Sequence, residues 1–202
     1  MIDRREAVRR ISVALGGVVS APTLAALLAG CEAPRGDGAF SARTLDDDKL
    51  RLVELIAEAI IPQTDTPGAS AARVHEFVDM MLTDFYAEGA RRRFLDQLAD
   101  LDIRALALFD RPFAEGTSEE RAALLDVLDA EAYPDPDENP AAAAAVGQRL
   151  ATGDPPFMRT MKELAVAGYY TSEIGQTVEL HTPPFGSYEA DMPLEEIGRS
   201  WA

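Results

Sequence analysis

The sequence has little of what a disulfide-bonded, metal-binding or nucleic-acid-binding protein needs. Its 202 residues include one cysteine and two histidines, which excludes an internal disulfide and leaves too few imidazoles for a histidine-rich metal site. Cations are scarce as well, since 19 Lys and Arg residues face 35 Asp and Glu residues and give a formal charge of −16 at pH 7. A protein this acidic repels phosphate backbones, so nucleic acid is excluded as a partner.

Sequence motifs for catalysis are also absent. No Gly-x-Gly-x-x-Gly fingerprint and no Gly-x-x-x-x-Gly-Lys-Ser/Thr phosphate loop occurs. The Glu-x-x-His pairs of di-iron bundles are missing, because the residue three before His75 is alanine and the residue three before His181 is valine. The run Asp46–Asp48 lacks the spaced oxygen ligands of a calcium loop and is interpreted as a helix start. We therefore predict no catalytic, cofactor-binding or metal-binding residue in this chain.

The first ten residues are basic, in contrast to the rest of the chain. They carry four arginines against two acids, and residues 11–30 carry no charged side chain. A basic head, an uncharged apolar stretch and an acidic body form the layout of an export signal. Arg4 and Arg5 lie in a run that resembles the bacterial twin-arginine signal, Ser/Thr-Arg-Arg-x-Phe-Leu-Lys, although Asp3 and Ala7 depart from it. This resemblance implies export of a folded protein by the twin-arginine translocase.

The apolar stretch ends in Leu28-Ala29-Gly30-Cys31, which resembles the cleavage box of bacterial lipoproteins. The resemblance implies that a signal of residues 1–30 is removed and that Cys31 is acylated. The protein is then expected on the periplasmic side of the inner membrane, with the outer membrane and the cell surface left open. Residues 11–30 are also just long enough to span a bilayer, so an uncleaved anchor is the alternative. Residues 31–43 are predicted to form a flexible tether.

Helical periodicity dominates the body of the chain, which is long enough for one domain with a core. Apolar residues recur at three- and four-residue spacing after Thr44, Ser70, Ala90, Thr117 and Pro156, and more weakly between residues 141 and 150. We predict an all-α domain at residues 44–175, a small irregular bundle of about five to six helices. Predicted details are N-caps at Thr44 and Asp154, a capping box at Thr117 and Glu120, and inward-facing Ala59, Phe85 and Leu108.

The last 27 residues, Gln176–Ala202, show no helical or strand period. They hold three of the 13 prolines together with Phe185, Tyr188 and Trp201. This apolar content is too high for a disordered segment, so the extended, mostly non-regular tail is predicted to lie on a surface. Two surfaces stay open at this point, namely the chain's own helical bundle and a partner protein.

Three segments have the most individual sequences in the chain. They are Ile60–Ala69 (IIPQTDTPGA), Val74–Asp79 (VHEFVD) and Gly168–Gly175 (GYYTSEIG). Together they resemble the gluconate 2-dehydrogenase subunit 3 family, to whose ends Gly198–Ala202 is similar as well. The resemblance covers residues 44–202. One departure is that no cysteine stands near Asp191, where relatives often carry one, so no tail disulfide is implied.

The resemblance implies a small, non-catalytic subunit of an FAD-dependent sugar or polyol dehydrogenase. In that family a large flavoprotein of the glucose–methanol–choline type holds FAD, and electrons often pass to a c-type cytochrome with haem c. The large subunit usually lacks an export signal, so the small subunit is expected to escort it through the twin-arginine pathway and to anchor it at the membrane.

Partner contact is predicted at aromatic residues in the region from Tyr169 to Trp201, because Tyr and Trp are favoured anchors at interfaces. These residues are Tyr169, Tyr170, Phe185, Tyr188 and Trp201. Two alternatives to the escort function remain: an autonomous helical lipoprotein that binds another periplasmic partner, and an enzyme whose site is not recognisable in the sequence.

Replacement of the predicted lipid attachment site tests the lipoprotein interpretation. Cys31→Ser removes the thiol that would receive the diacylglyceryl group, and stable attachment to a membrane needs more than one acyl chain. We expect loss of metabolic palmitate labelling, with release of the protein or its retention as an unprocessed form. Palmitate labelling that persists in the Cys31→Ser protein would show that this cysteine is not the attachment site.

Overall fold

The computed structural model describes residues 40–181. Within this range the chain forms six α-helices and no strand, which confirms the predicted all-α class. None of the helices in these residues is both long and apolar enough to cross a membrane. The helices are α1 (Asp47–Ile60), α2 (Val74–Asp84), α3 (Glu88–Phe109), α4 (Ser118–Ala132), α5 (Pro140–Ala151) and α6 (Phe157–Tyr170), with a 3-10 turn at Phe113–Glu115 and a π-helical turn at Gly175–Glu179.

Helix α6 is the centre of the bundle, because α1, α2, α3 and α4 all pack against it. Eight of its 14 residues are buried. Met161, Ala165 and Tyr169 recur at four-residue spacing along its inner face and are at most 2% exposed. At its start, the Phe157 ring lies 5.4 Å from the ring of Phe94 on α3, measured between centroids.

Two helix starts differ from the predicted ones, and one is confirmed. Asp46, not Thr44, caps α1, because its carboxylate accepts the backbone N–H of Lys49 at 2.9 Å. Helix α6 begins after Pro156 without a side-chain cap, so Asp154 is not its N-cap. The capping box of α4 is present: the Thr117 hydroxyl accepts the Glu120 N–H at 3.2 Å, and the Glu120 carboxylate accepts the Thr117 N–H at 2.8 Å.

Three side chains predicted to face inward lie on the surface instead. Phe85 is 70% exposed because it is the C-cap of α2, where the chain turns away from the core. Leu108 is 60% exposed in the last turn of α3, and Ala59 is exposed near the end of α1. The inner face of α1 is formed instead by Leu52, Val53, Ile56 and Ala57, since α2 and α6 both pack on this helix.

Asp79 on α2 is the only charged residue that is buried among residues 40–181. Its carboxylate accepts three backbone N–H groups from the segment that leads into α1. Arg43 donates to Oδ2 at 2.9 Å, and Thr44 and Leu45 donate to Oδ1 at 2.9 and 2.7 Å. A buried charge is stabilised when hydrogen bonds replace its lost hydration. The buried aspartate therefore fixes the residues before α1 to the middle of α2.

An exposed ion pair lies beside this buried contact. The Arg43 guanidinium donates to both carboxylate oxygens of Asp84 at 2.8 and 2.6 Å. These hydrogen bonds lower the pKa of Asp84 below its ordinary value. Because both side chains are about half exposed, water and salt screen the pair.

The two aspartates of α2 allow a matched test of the buried contact. Asp79→Asn replaces a charged acceptor with an amide that faces three donors, and we expect a loss of about 3 kcal/mol in the free energy of unfolding. Asp84→Asn removes only the screened ion pair, so we expect little change from it. Urea unfolding of both proteins measures the difference. Equal losses from the two substitutions would contradict a dominant role for Asp79.

Candidate functional site

The loop between α1 and α2 is folded around the carboxylate of Glu58, in the last turn of α1. Oε1 of Glu58 accepts the backbone N–H of Gln63 at 2.9 Å, and Oε2 accepts that of Ser70 at 2.8 Å. The two bonds tie both ends of the loop to one side chain. In addition, the Ala69 N–H donates to the Ile61 carbonyl at 2.9 Å. The loop is therefore closed at its base, and its tip, residues 62–65, is exposed.

Only glycine fits at position 68 of this loop, because the neighbouring atoms leave no space for a Cβ. A Cβ at this position would lie 2.4 Å from Oε1 of Glu58 and 2.6 Å from the Gln63 nitrogen. Any side chain would displace the carboxylate that organises the loop. The glycine in the IIPQTDTPGA segment thus allows the backbone to approach Glu58 closely.

The structure brings the three distinctive segments of the sequence together at one end of the bundle. The Tyr169 hydroxyl donates to the Pro67 carbonyl at 2.7 Å and so joins α6 to the loop. At Gly168, a Cβ would lie 2.7 Å from the Phe77 ring, so α6 and α2 touch closely here. The segments that contain Pro67, Phe77 and Tyr169 therefore form one packed unit, which we call the motif end.

The chain after α6 folds back onto the same unit. The Ser172 hydroxyl donates to the Tyr169 carbonyl at 2.6 Å and accepts the Gly175 N–H at 3.0 Å. A Cβ at Gly175 would lie 2.0 Å from the Tyr169 carbonyl oxygen, so this position also requires glycine. The π-helical turn Gly175–Glu179 follows, and the first residues of the predicted extended tail are therefore helical.

The two adjacent tyrosines have different surroundings. Tyr169 is 2% exposed, whereas Tyr170 is 37% exposed. Their rings meet edge to face, with centroids 5.3 Å apart. The prediction that Tyr169 contacts a partner is corrected, because its side chain belongs to the core and its hydroxyl bonds Pro67. The Tyr170 ring lies on the surface of the motif end and packs against the buried ring of Tyr169.

The other predicted site residues lie outside the described range. These are the export and lipidation residues Arg4, Arg5 and Cys31, and the tail residues Phe185, Tyr188 and Trp201. Sequence reasoning also missed Glu58 and Asp79, the two carboxylates that hold the loops on either side of α1. The available signal for Glu58 was a Pro-Gly loop that follows directly, since such loops need acceptors for their N–H groups.

His75, at the start of α2, lies at the edge of the core. Its side chain is 16% exposed, and its Nε2 lies 3.9 Å from Oε1 of Glu76. Its Nδ1 is buried and has no hydrogen-bond partner. Residues 40–181 contain no group of three His, Cys, Asp or Glu side chains that could hold a metal ion. The candidate site within residues 40–181 is the surface of the motif end around Tyr170, which is 37% exposed.

Residues 40–181 form a small helical bundle, and the three distinctive segments of the sequence pack together at its motif end. Comparison with known proteins then gives the family. The family model described as gluconate 2-dehydrogenase subunit 3 matches residues 47–184, and the chain belongs to that family. This confirms the resemblance of the three segments and makes the protein a small subunit of a dehydrogenase complex. No curated protein and no solved structure gives a significant match.

Proposed function

We propose that this chain is the non-catalytic small subunit that escorts a folded, FAD-loaded dehydrogenase through the twin-arginine pathway and anchors it at the membrane. The observation that carries the proposal is the family match over residues 47–184. FAD and the oxidation of a sugar or polyol belong, in this proposal, to the large subunit, and haem c to a cytochrome partner. The rival function is that of an autonomous lipoprotein with a different periplasmic partner.

The signal at the start of the chain supports the escort function. Twin-arginine export carries folded proteins, and a flavoprotein must bind its cofactor before it leaves the cytoplasm. Among residues 40–181, the motif end is the surface that we propose for binding of this flavoprotein. The Tyr170 ring packs edge to face on the ring of Tyr169, whose hydroxyl donates to the Pro67 carbonyl. A side chain that is already held in place loses little conformational entropy when it binds.

Binding of the large subunit tests the role of the motif end. Tyr170→Ala removes an exposed aromatic ring, and we expect it to weaken the complex by about 2 kcal/mol if this ring is an interface anchor. Leu150→Ala is the matched control, because Leu150 is 41% exposed but lies on α5. Titration of the purified flavoprotein with each variant measures the affinity. Equal affinities of the two variants would exclude Tyr170 as an anchor.

Export of the large subunit tests the escort function itself. Replacing Arg4 and Arg5 with Lys keeps both charges but loses the guanidinium groups, which Lys does not replace in specific recognition. We expect both this chain and the flavoprotein to stay in the cytoplasm, as measured by fractionation of cells that express the two together. Normal export of the flavoprotein in that strain would contradict the escort function, even if the two proteins still copurify.

A further inference from the structure

An apolar groove opens between the first half of α1 and the second half of α3. Its volume is about 550 Å³, and the 3-10 turn at Phe113–Glu115 closes one side. Apolar side chains form its floor and walls, among them Leu52 of α1 and Leu98, Ile103 and Leu106 of α3. Ile103 is 64% exposed and Leu106 is 48% exposed. A concave apolar surface of this kind is typical of a binding site.

The edges of the groove carry charges of opposite sign. Asp48, Lys49 and Arg51 line it from α1, and Asp102 and Glu115 line it from α3 and the 3-10 turn. Within residues 40–181, each of the two cations pairs with an acid three positions away, Lys49 with Asp46 and Arg51 with Glu54. Such pairs contribute little and exchange readily for other partners. An occupant that carries both acidic groups and a cation would find groups of opposite charge along this groove.

The end of the tail has the matching sequence. Leu194, Ile197 and Trp201 supply three large apolar side chains within eight residues. Glu195 and Glu196 stand within this stretch, and Arg199 is the only cation after residue 181. The tail therefore combines apolar side chains with charges of both signs, as the lining of the groove does.

The tail is also long enough to reach the groove. It continues from His181, just beyond the π-helical turn, which packs on α6. The motif end adjoins Ile60, and Asp48 at the groove lies 12 residues earlier on α1, or about 18 Å along the helix axis. The 13 residue steps from His181 to Leu194 span up to about 43 Å when extended. A segment of the same chain also has an effective concentration on the order of millimolar, which favours it over a separate partner.

We infer that the stretch Leu194–Trp201 of this chain occupies the groove between α1 and α3. This inference concerns the chain alone and stands whether or not the proposed escort function is correct. It decides between the two surfaces that the sequence left open for the tail. Trp201 is then part of the subunit's own core and no longer a predicted partner contact, whereas Tyr170 stays at the surface of the motif end.

The fluorescence of Trp201 tests this placement without a label, because it is the only tryptophan in the chain. In the purified full chain, without any partner, we expect blue-shifted emission and protection from acrylamide quenching. Ile103→Asp places a charge in the groove and should shift the emission to the red and remove the protection. Leu108→Asp is the matched control, since Leu108 lies on the same helix, is 60% exposed and does not line the groove.

Each of the following outcomes would overturn the inference. Emission as red as that of the urea-unfolded chain would place Trp201 in water. Protection that needs the large subunit would assign the groove, or the tryptophan, to the partner, and protection lost on dilution would assign it to a second copy. Protection equal in the Ile103→Asp and Leu108→Asp proteins would place Trp201 elsewhere on the bundle. Circular dichroism checks that both variants are folded, and Leu106→Asp replaces Ile103→Asp if that protein is not.

Discussion

The buried carboxylate of Asp79 fixes the position of the segment that leads into α1. A charge at 0% exposure is costly unless hydrogen bonds replace its hydration. The N–H groups of Arg43, Thr44 and Leu45 have no helix to bond to, so the carboxylate and the three donors satisfy each other. Leu45 is thereby held in the core at 3% exposure, two residues before α1. The position of α1 against α2, and with it one side of the groove, depends on this contact.

Glu58 does for the end of α1 what Asp79 does for its beginning. A segment held by the Asp79 carboxylate therefore precedes α1, and a loop held by the Glu58 carboxylate follows it. Helix α6 joins this arrangement through the Tyr169 hydroxyl on Pro67. Because the loop is fixed by its own helix and by α6, the surface around Tyr170 needs no partner to take shape. Its preorganisation follows from backbone N–H and C=O groups that had to be satisfied in any case.

Local patterns in the sequence predicted the helices, and long-range contacts account for what they missed. The capping box at Thr117 depends on residues three apart, so its sequence was sufficient. Thr44 was also a plausible N-cap by its local pattern, but its hydroxyl is hydrogen-bonded to the hydroxyl of Thr83, 39 residues away in sequence. Tyr169 was predicted to be at a surface because tyrosine favours interfaces, yet its partner Pro67 lies 102 residues earlier. Local periodicity and residue spacing do not predict contacts between residues so far apart in the sequence.

The same contacts separate the two candidate binding surfaces. The motif end is built on the last turn of α1 and on Glu58, whereas the groove lies along the first turns of α1, beyond Asp46. A substitution at Ile103 therefore leaves every hydrogen bond around Tyr170 in place, and a change at Tyr170 leaves the groove intact. The segment that leads into α1 is held separately from both surfaces, by three backbone hydrogen bonds to the buried carboxylate of Asp79.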